Sequence, residues 1–224
     1  MEIKPFAGYR YNPGKINNLD DVIAPPYDVI DAVFQDELYG KHPNNVVRLI
    51  LEKMYPTDHE SDNRYTRTAK TLADWKANDV LKQDTRPAIY VYHQTYRAGG
   101  TMHTRKGFMC GCLAVPFGYG QVYPHEITMS GPKLDRLMLT TDCKMNFSQI
   151  FGLYPDEGNA VQSLLEDAVS QGRYVDSVTA TDHLGVINTM WVVDDEAIVQ
   201  QVVGAMAPKP IFVADGHHRY ETAC

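Results

Sequence analysis

The densest run of chemistry-bearing residues is Asp215-Gly216-His217-His218-Arg219, which follows the apolar stretch Pro210-Ile211-Phe212-Val213-Ala214. The apolar stretch reads as a buried strand, and the polar run as a glycine turn that opens a helix. A strand, a glycine turn and a helix start direct free backbone N–H groups and the positive end of the helix dipole at one point. Such a point attracts phosphate or carboxylate, and the planar guanidinium of Arg219 matches either anion. Gly216 lets the backbone approach a ligand or take a positive φ. Asp215 has two open roles, capping the helix or assisting a divalent cation held through phosphate oxygens. Adjacent histidines without HxxxH spacing point in different directions and make a poor metal pair.

A second cluster is Tyr123-Pro124-His125-Glu126-Ile127-Thr128, followed by Gly131-Pro132-Lys133-Leu134-Asp135-Arg136. An acid/base group beside two cations is what phosphoryl transfer needs. Glu126 is then the candidate general base and His125 the second candidate. Lys133 and Arg136, three apart on one side of a helix, are candidates to neutralise the transferring group. A solvated turn before a charged helix face fits the same spacing. Arg48, inside the β-prone run Val46–Leu51, is a further candidate cation, although an ion pair is the commoner fate of such an arginine.

These clusters need elements to hold them. Pro25-Pro26-Tyr27-Asp28 forbids regular structure and reads as a stiff extended loop, either a plain linker or a shaped wall with a phenol and a carboxylate. Ser61-Asp62 caps a helix over about 63–80, with Tyr65, Ala69, Leu72 and Trp75 as its apolar stripe. Two strands over 88–96 and 105–115 form a hairpin around Ala98-Gly99-Gly100. Helices follow over about 132–141, with Leu134, Leu137 and Met138 on one side, and over 159–170. A strand lies within 183–193. A third helix of this half opens on Asp194-Asp195-Glu196, with Ile198, Val202 and Met206 inward. Strands and helices mix without strict βαβ alternation, so the fold class expected is α+β, a mixed sheet with packed helices in one region over 1–224.

Of 224 residues, 21 are basic and 28 acidic, for a net charge of −7, with no basic stripe, which argues against DNA as the partner. No apolar run is long enough to span a bilayer, and no secretory leader is visible, so a cytoplasmic location is expected. The four cysteines have no CxxC spacing and read as small buried or half-buried residues.

Lys4-Pro5-Phe6, Ile23-Ala24-Pro25-Pro26-Tyr27-Asp28-Val29, Asn45–Leu51, His125-Glu126-Ile127-Thr128 with Pro132–Arg136, and Ala214–Tyr220 occur in that order. Together they resemble the prokaryotic family named domain of unknown function 1015, along the whole chain. Members of that family are longer, so the resemblance implies that this is the N-terminal part of a larger protein, as does a terminal helix that stops after about two turns. Gly216-x-x-Arg219-x-x-x-Ala223 is also similar to the phosphate-binding box of the ParB/sulfiredoxin-like fold, which includes CTP-binding partition proteins, ATP-using sulfiredoxins and a free-serine kinase. Carried over by position, Gly216, His218 and Arg219 would contact phosphate. Sulfiredoxins have their catalytic cysteine where His217 stands, and the partition proteins a glutamate, so the kinase-like branch is the one implied.

The expectation is therefore a kinase-like phosphotransferase that uses ATP or ADP, or CTP, with Mg2+ on a small hydroxylated metabolite. Gly216, His217, His218 and Arg219 would hold the phosphates, with Asp215 assisting the metal. A nucleotide-sensing module without transfer and a phosphohydrolase are the alternatives.

Overall fold

The computed structural model describes residues 1–224. The first half holds β1 (Ile3–Lys4), β2 (Tyr9–Tyr11), α1 (Ala32–Lys41), α2 (Val47–Ile50), α3 (Arg64–Ala77) and β3 (Leu81–Gln83). Next come β4 (Ile89–Ala98), β5 (Thr101–Met109), β6 (Gly111–Cys112), β7 (Val122–Tyr123), α4 (Ser130–Cys143) and β8 (Phe151–Leu153). The chain continues through α5 (Ala160–Ser170), β9 (Asp176–Thr181), β10 (Ile187–Val193), α6 (Glu196–Met206), β11 (Ile211–Asp215) and α7 (His217–Ala223). The fold class is α+β.

The largest sheet is antiparallel, in the order β5-β4-β10-β9. Its β4–β5 hairpin turns at Gly99 and Gly100, both at positive φ, as the glycine pair leads one to expect. Alternation along β4 sends Ile89 and Val91 to the main core, where they meet Val161 and Leu165 of α5 and Ile198, Val199 and Val202 of α6. Tyr90 points the other way, against Phe6 and Val192. α6 is capped by the Asp195 side chain, which accepts from the N–H groups of Ala197 and Ile198, as the acidic run suggests.

A smaller sheet, β7-β11-β8, sits beside this core and contributes Val122 and Val213 to it, each almost fully buried. Burying each such valine is worth about 1.5–3 kcal/mol. β7 runs parallel to β11, and β8 antiparallel. A second core joins Leu49, Leu72, Trp75 and Leu81 to Leu139 and Cys143 of α4. α4 is thereby clamped between that cluster and α7.

Three local expectations are revised. The stretch over 46–51 is not a strand but the helical turn α2, because the Asn45 side chain accepts from the Val47 N–H and fixes a helix start. α3 is capped by Asn63, not Ser61-Asp62: Asn63 and Thr66 form a reciprocal capping box, and Asp79 at φ 56° turns the chain after the helix. Leu134, Leu137 and Met138 do share a side of α4, but that side faces outward, and Arg136, Leu139 and Cys143 are the buried residues. α1, capped by Asp31, was not foreseen; its even spread of polar and apolar residues carries no helical stripe.

No helix is long and apolar enough to cross a membrane. The cysteines are free thiols; Cys112 and Cys224 are exposed, contrary to expectation, while burial pushes Cys110 up to about 12 and Cys143 to about 11, so neither of these supplies a thiolate near neutral pH.

Candidate functional site

Two strand–loop–helix units stand side by side. β7 leads through Pro124–Met129 into α4, and β11 leads through Gly216 into α7. The strands are parallel, pairing Ile211 with Val122 and Phe212 with Tyr123. The helices are parallel too: His218 of α7 meets Met129 at the start of α4, and Glu221 and Thr222 meet Lys133 a turn later. Both helix starts therefore lie together at the carboxyl ends of neighbouring parallel strands. In open α/β sheets that is where ligands bind, because the chain leaves the sheet there and helix N–H groups point into the gap.

The loop and the turn are sewn together by the two histidines. His217 is fully buried and its Nε2 accepts the His125 backbone N–H at 3.3 Å. That bond assigns the proton of the neutral ring to Nδ1. Nδ1 lies 2.8 Å from Glu126 Oε1 but off the axis of a hydrogen bond, so it has a carboxylate beside it and no aligned partner. Leaving a buried ring N–H unpaired costs about 1–3 kcal/mol, which draws Glu126 inward. The Glu126 side chain is half exposed, at 52%. His125 packs edge-on against His217, with ring centroids 4.6 Å apart, and its Nδ1 sits 2.8 Å from the Val213 carbonyl oxygen. His218 Nε2 accepts the Met129 N–H at 3.0 Å, a cap that α4 lacks from its own residues.

Charge at the site is internally balanced. Arg219 Nη2 donates to Asp215 Oδ2 at 2.5 Å, and Nη1 donates to the Gln149 carbonyl. Lys133 Nζ lies 3.0 Å from Glu221 Oε2, which also accepts from the Thr128 hydroxyl. Those two contacts, Thr128 first, hold the Glu221 carboxyl below its ordinary value of 4.5. The unfolded chain thus takes up this proton more readily, so the link contributes fully above about pH 4.5 and is lost as pH falls through the folded value. A carbon-detected NMR titration of the Glu221 carboxyl should show a midpoint below 4.5; one at or above it would contradict the α4–α7 bridge.

Gly216 adopts φ 89°, the left-handed region foreseen for it. A Cβ there would lie 2.9 Å from Arg219 Nη2 and 3.0 Å from its Cζ. Gly216→Ala should therefore lower stability by about 1–2 kcal/mol through backbone strain, and push the guanidinium off Asp215. Calorimetric unfolding reads the first effect; an unchanged melting temperature would refute it.

The other expected cations are placed differently. Arg136 is buried: its Nε and Nη2 hold Asp135, its Nη1 donates to the Ile50 carbonyl at 3.1 Å, and it stacks 3.9 Å above the Tyr27 ring. Asp135 also takes Arg64 and the Tyr65 hydroxyl. Arg136 is thus committed to structure, although it fixes Tyr27. Burial raises the Tyr27 phenol pKa, opposed by the nearby charges of Arg136 and, more weakly, Arg219. Tyr27 of the Pro-Pro-Tyr-Asp loop therefore lies within electrostatic reach of Arg219. Arg48 stacks on Tyr39 and donates to its carbonyl, and it makes no contact with the other candidates. No three His, Cys, Asp or Glu side chains gather as a metal site. Asp215 alone, already bound to Arg219, fits Mg2+ only if phosphate oxygens and water complete the shell.

A family model described as a protein of unknown function, DUF1015, matches residues 3–224. The chain belongs to this family. No curated protein and no solved structure matches it. Within this DUF1015 chain, Glu221 is the site residue that sequence reasoning missed, while Thr128 stood in the second cluster without a role. The only signal for Glu221 was indirect: it falls four residues after His217, on a helix already singled out.

Proposed function

We propose that this DUF1015 chain is a kinase-like phosphotransferase that moves a phosphoryl group from ATP or ADP, or CTP, to a small hydroxylated metabolite. The observation that carries the reading is the pair of parallel strand–helix units, whose adjacent helix starts favour a polyanion. Arg219, the backbone of Gly216–His218 and the α4 start with Lys133 hold the phosphates. His217 and His218 act through the loop they pin. Asp215 would help to hold Mg2+, which would offset the negative charge of the phosphates there. Glu126, exposed yet backed by a buried imidazole, takes the proton of the acceptor hydroxyl. The likeness of the Gly216–Ala223 pattern to the phosphate box of the ParB/sulfiredoxin-like fold supports the same reading.

Isothermal titration of the protein with ATP, ADP and CTP in the presence of Mg2+ tests it, and absence of binding by all three defeats it. Glu126→Gln should leave nucleotide affinity within about twofold while lowering turnover in a metabolite phosphorylation screen by about 10²–10⁴-fold. One observation favours a second reading, a nucleotide sensor without transfer: both cations at the site are already neutralised, by Asp215 and Glu221. Binding without any phosphorylated product or released phosphate would select it; phosphate released to water would select a hydrolase.

A further inference from the structure

The small sheet buries one face and leaves the other open. Val122 and Val213 point into the core, so their neighbours Tyr123 and Phe212 point outward, 45% and 48% exposed. The pairing register sets Tyr123, Phe212 and Leu153 in one row across all three strands. The Tyr123 and Phe212 rings are stacked, with centroids 5.4 Å apart and planes inclined by 26°. Farther along, towards the carboxyl end of β11, Asp215 pairs with Phe151, and the Arg105 guanidinium sits 5.3 Å from the Phe151 ring. Beyond Asp215 come Gly216 and Arg219. The open face is thus aromatic at one end, with the Asp215 carboxylate and the Arg219 guanidinium at the other.

We propose that this aromatic row is the subsite for the base of the bound nucleotide, with Tyr123 and Phe212 as its stacking residues. The inference rests on the phosphate reading above and adds the ligand's aromatic moiety to it. Three considerations support a base. Two rings already stacked offer a π-surface that a further planar ring extends, the device by which sheet faces take up nucleobases. The row is continuous with the phosphate end along β11. Phe212 and Gly216 are four residues apart, and with the bulge between Val213 and Asp215 they are separated by about 10 Å along the strand, a separation suited to a nucleotide lying base-first along it. Stacking also needs no hydrogen-bond code, in keeping with a row that presents only one hydroxyl, that of Tyr123.

The test compares ADP with inorganic pyrophosphate, which lacks the base, by titration calorimetry on the intact protein and on Tyr123→Ser/Phe212→Ser. Wild type should bind ADP more tightly than pyrophosphate. The double variant should lose about 5–100-fold in ADP affinity and keep its pyrophosphate affinity. Tyr123→Leu/Phe212→Leu, which retains the apolar cover but removes the rings, should show the same selective loss. If wild type binds both ligands equally, or if ADP binding survives both variants, the base subsite is wrong while the phosphate site stands. If wild type binds neither, the phosphate reading itself fails, and this inference with it. If the serine variant instead abolishes self-association in sedimentation with ADP affinity unchanged, the face is an interface between copies, and the proposal is overturned.

Discussion

Asp135→Ala should be the most damaging single substitution in the second half of the chain, lowering stability by about 3–5 kcal/mol. Asp135 is the only acid in direct contact with Arg136, whose side chain is 9% exposed, and it also receives Arg64 and the Tyr65 hydroxyl. Removing the carboxylate leaves a guanidinium buried beside Ile50 and Tyr27 without its counter-charge. The energy at risk is the desolvation of that cation, which exceeds what the ion pair itself contributes. For a chain of this size the melting temperature should fall by roughly 6–20 °C, measured by scanning calorimetry. A fall under about 2 °C would show that Arg136 finds water or another acceptor. Replacing the buried pair together, Asp135→Leu with Arg136→Met, should recover part of the loss, since it removes the buried guanidinium and leaves only the more exposed Arg64 without its carboxylate.

His217→Ala is the second large expectation. The imidazole is fully buried, tilted beside Phe117 and edge-on to His125, and it accepts the His125 backbone N–H. Its removal opens a void and strips a partly buried hydrogen bond of its acceptor, for a combined cost of about 2–4 kcal/mol. The loop that carries Glu126 should lose its anchor at the same time, visible as faster amide hydrogen exchange over 124–129. His217→Asn should restore part of the protection, because its side-chain oxygen can accept a hydrogen bond. Equal protection in wild type and His217→Ala would mean that the loop is held elsewhere.

Much of the site was legible because its signals are local. The strand over 211–215, the positive φ at Gly216 and the helix start all follow from neighbouring residues, as does the Asp195 cap of α6. The pairing of that turn with His125 and Glu126 was not legible, because contacts across some ninety residues leave no mark in spacing. The roles of Arg48 and Arg136 were hidden for another reason. An arginine in an apolar stretch announces that it needs partners but not which ones, and here they are Tyr39 in one case and Asp135 with Tyr27 in the other. The outward apolar side of α4 misleads for a different reason. Its periodicity is genuine, but the inward side is paid in arginine, leucine and cysteine, so the stripe alone does not tell which way the helix turns.

The bond from His125 to His217 closes a span of 92 residues, and that from Met129 to His218 one of 89. Contacts of such separation form only after the intervening chain has largely condensed, since the entropy of closing the loop must be offset before they contribute. The β4–β5 hairpin and α3 need no such wait. In refolding, ordering around Glu126 should therefore coincide with the slowest phase, and an intermediate with its hairpin formed would still lack the site.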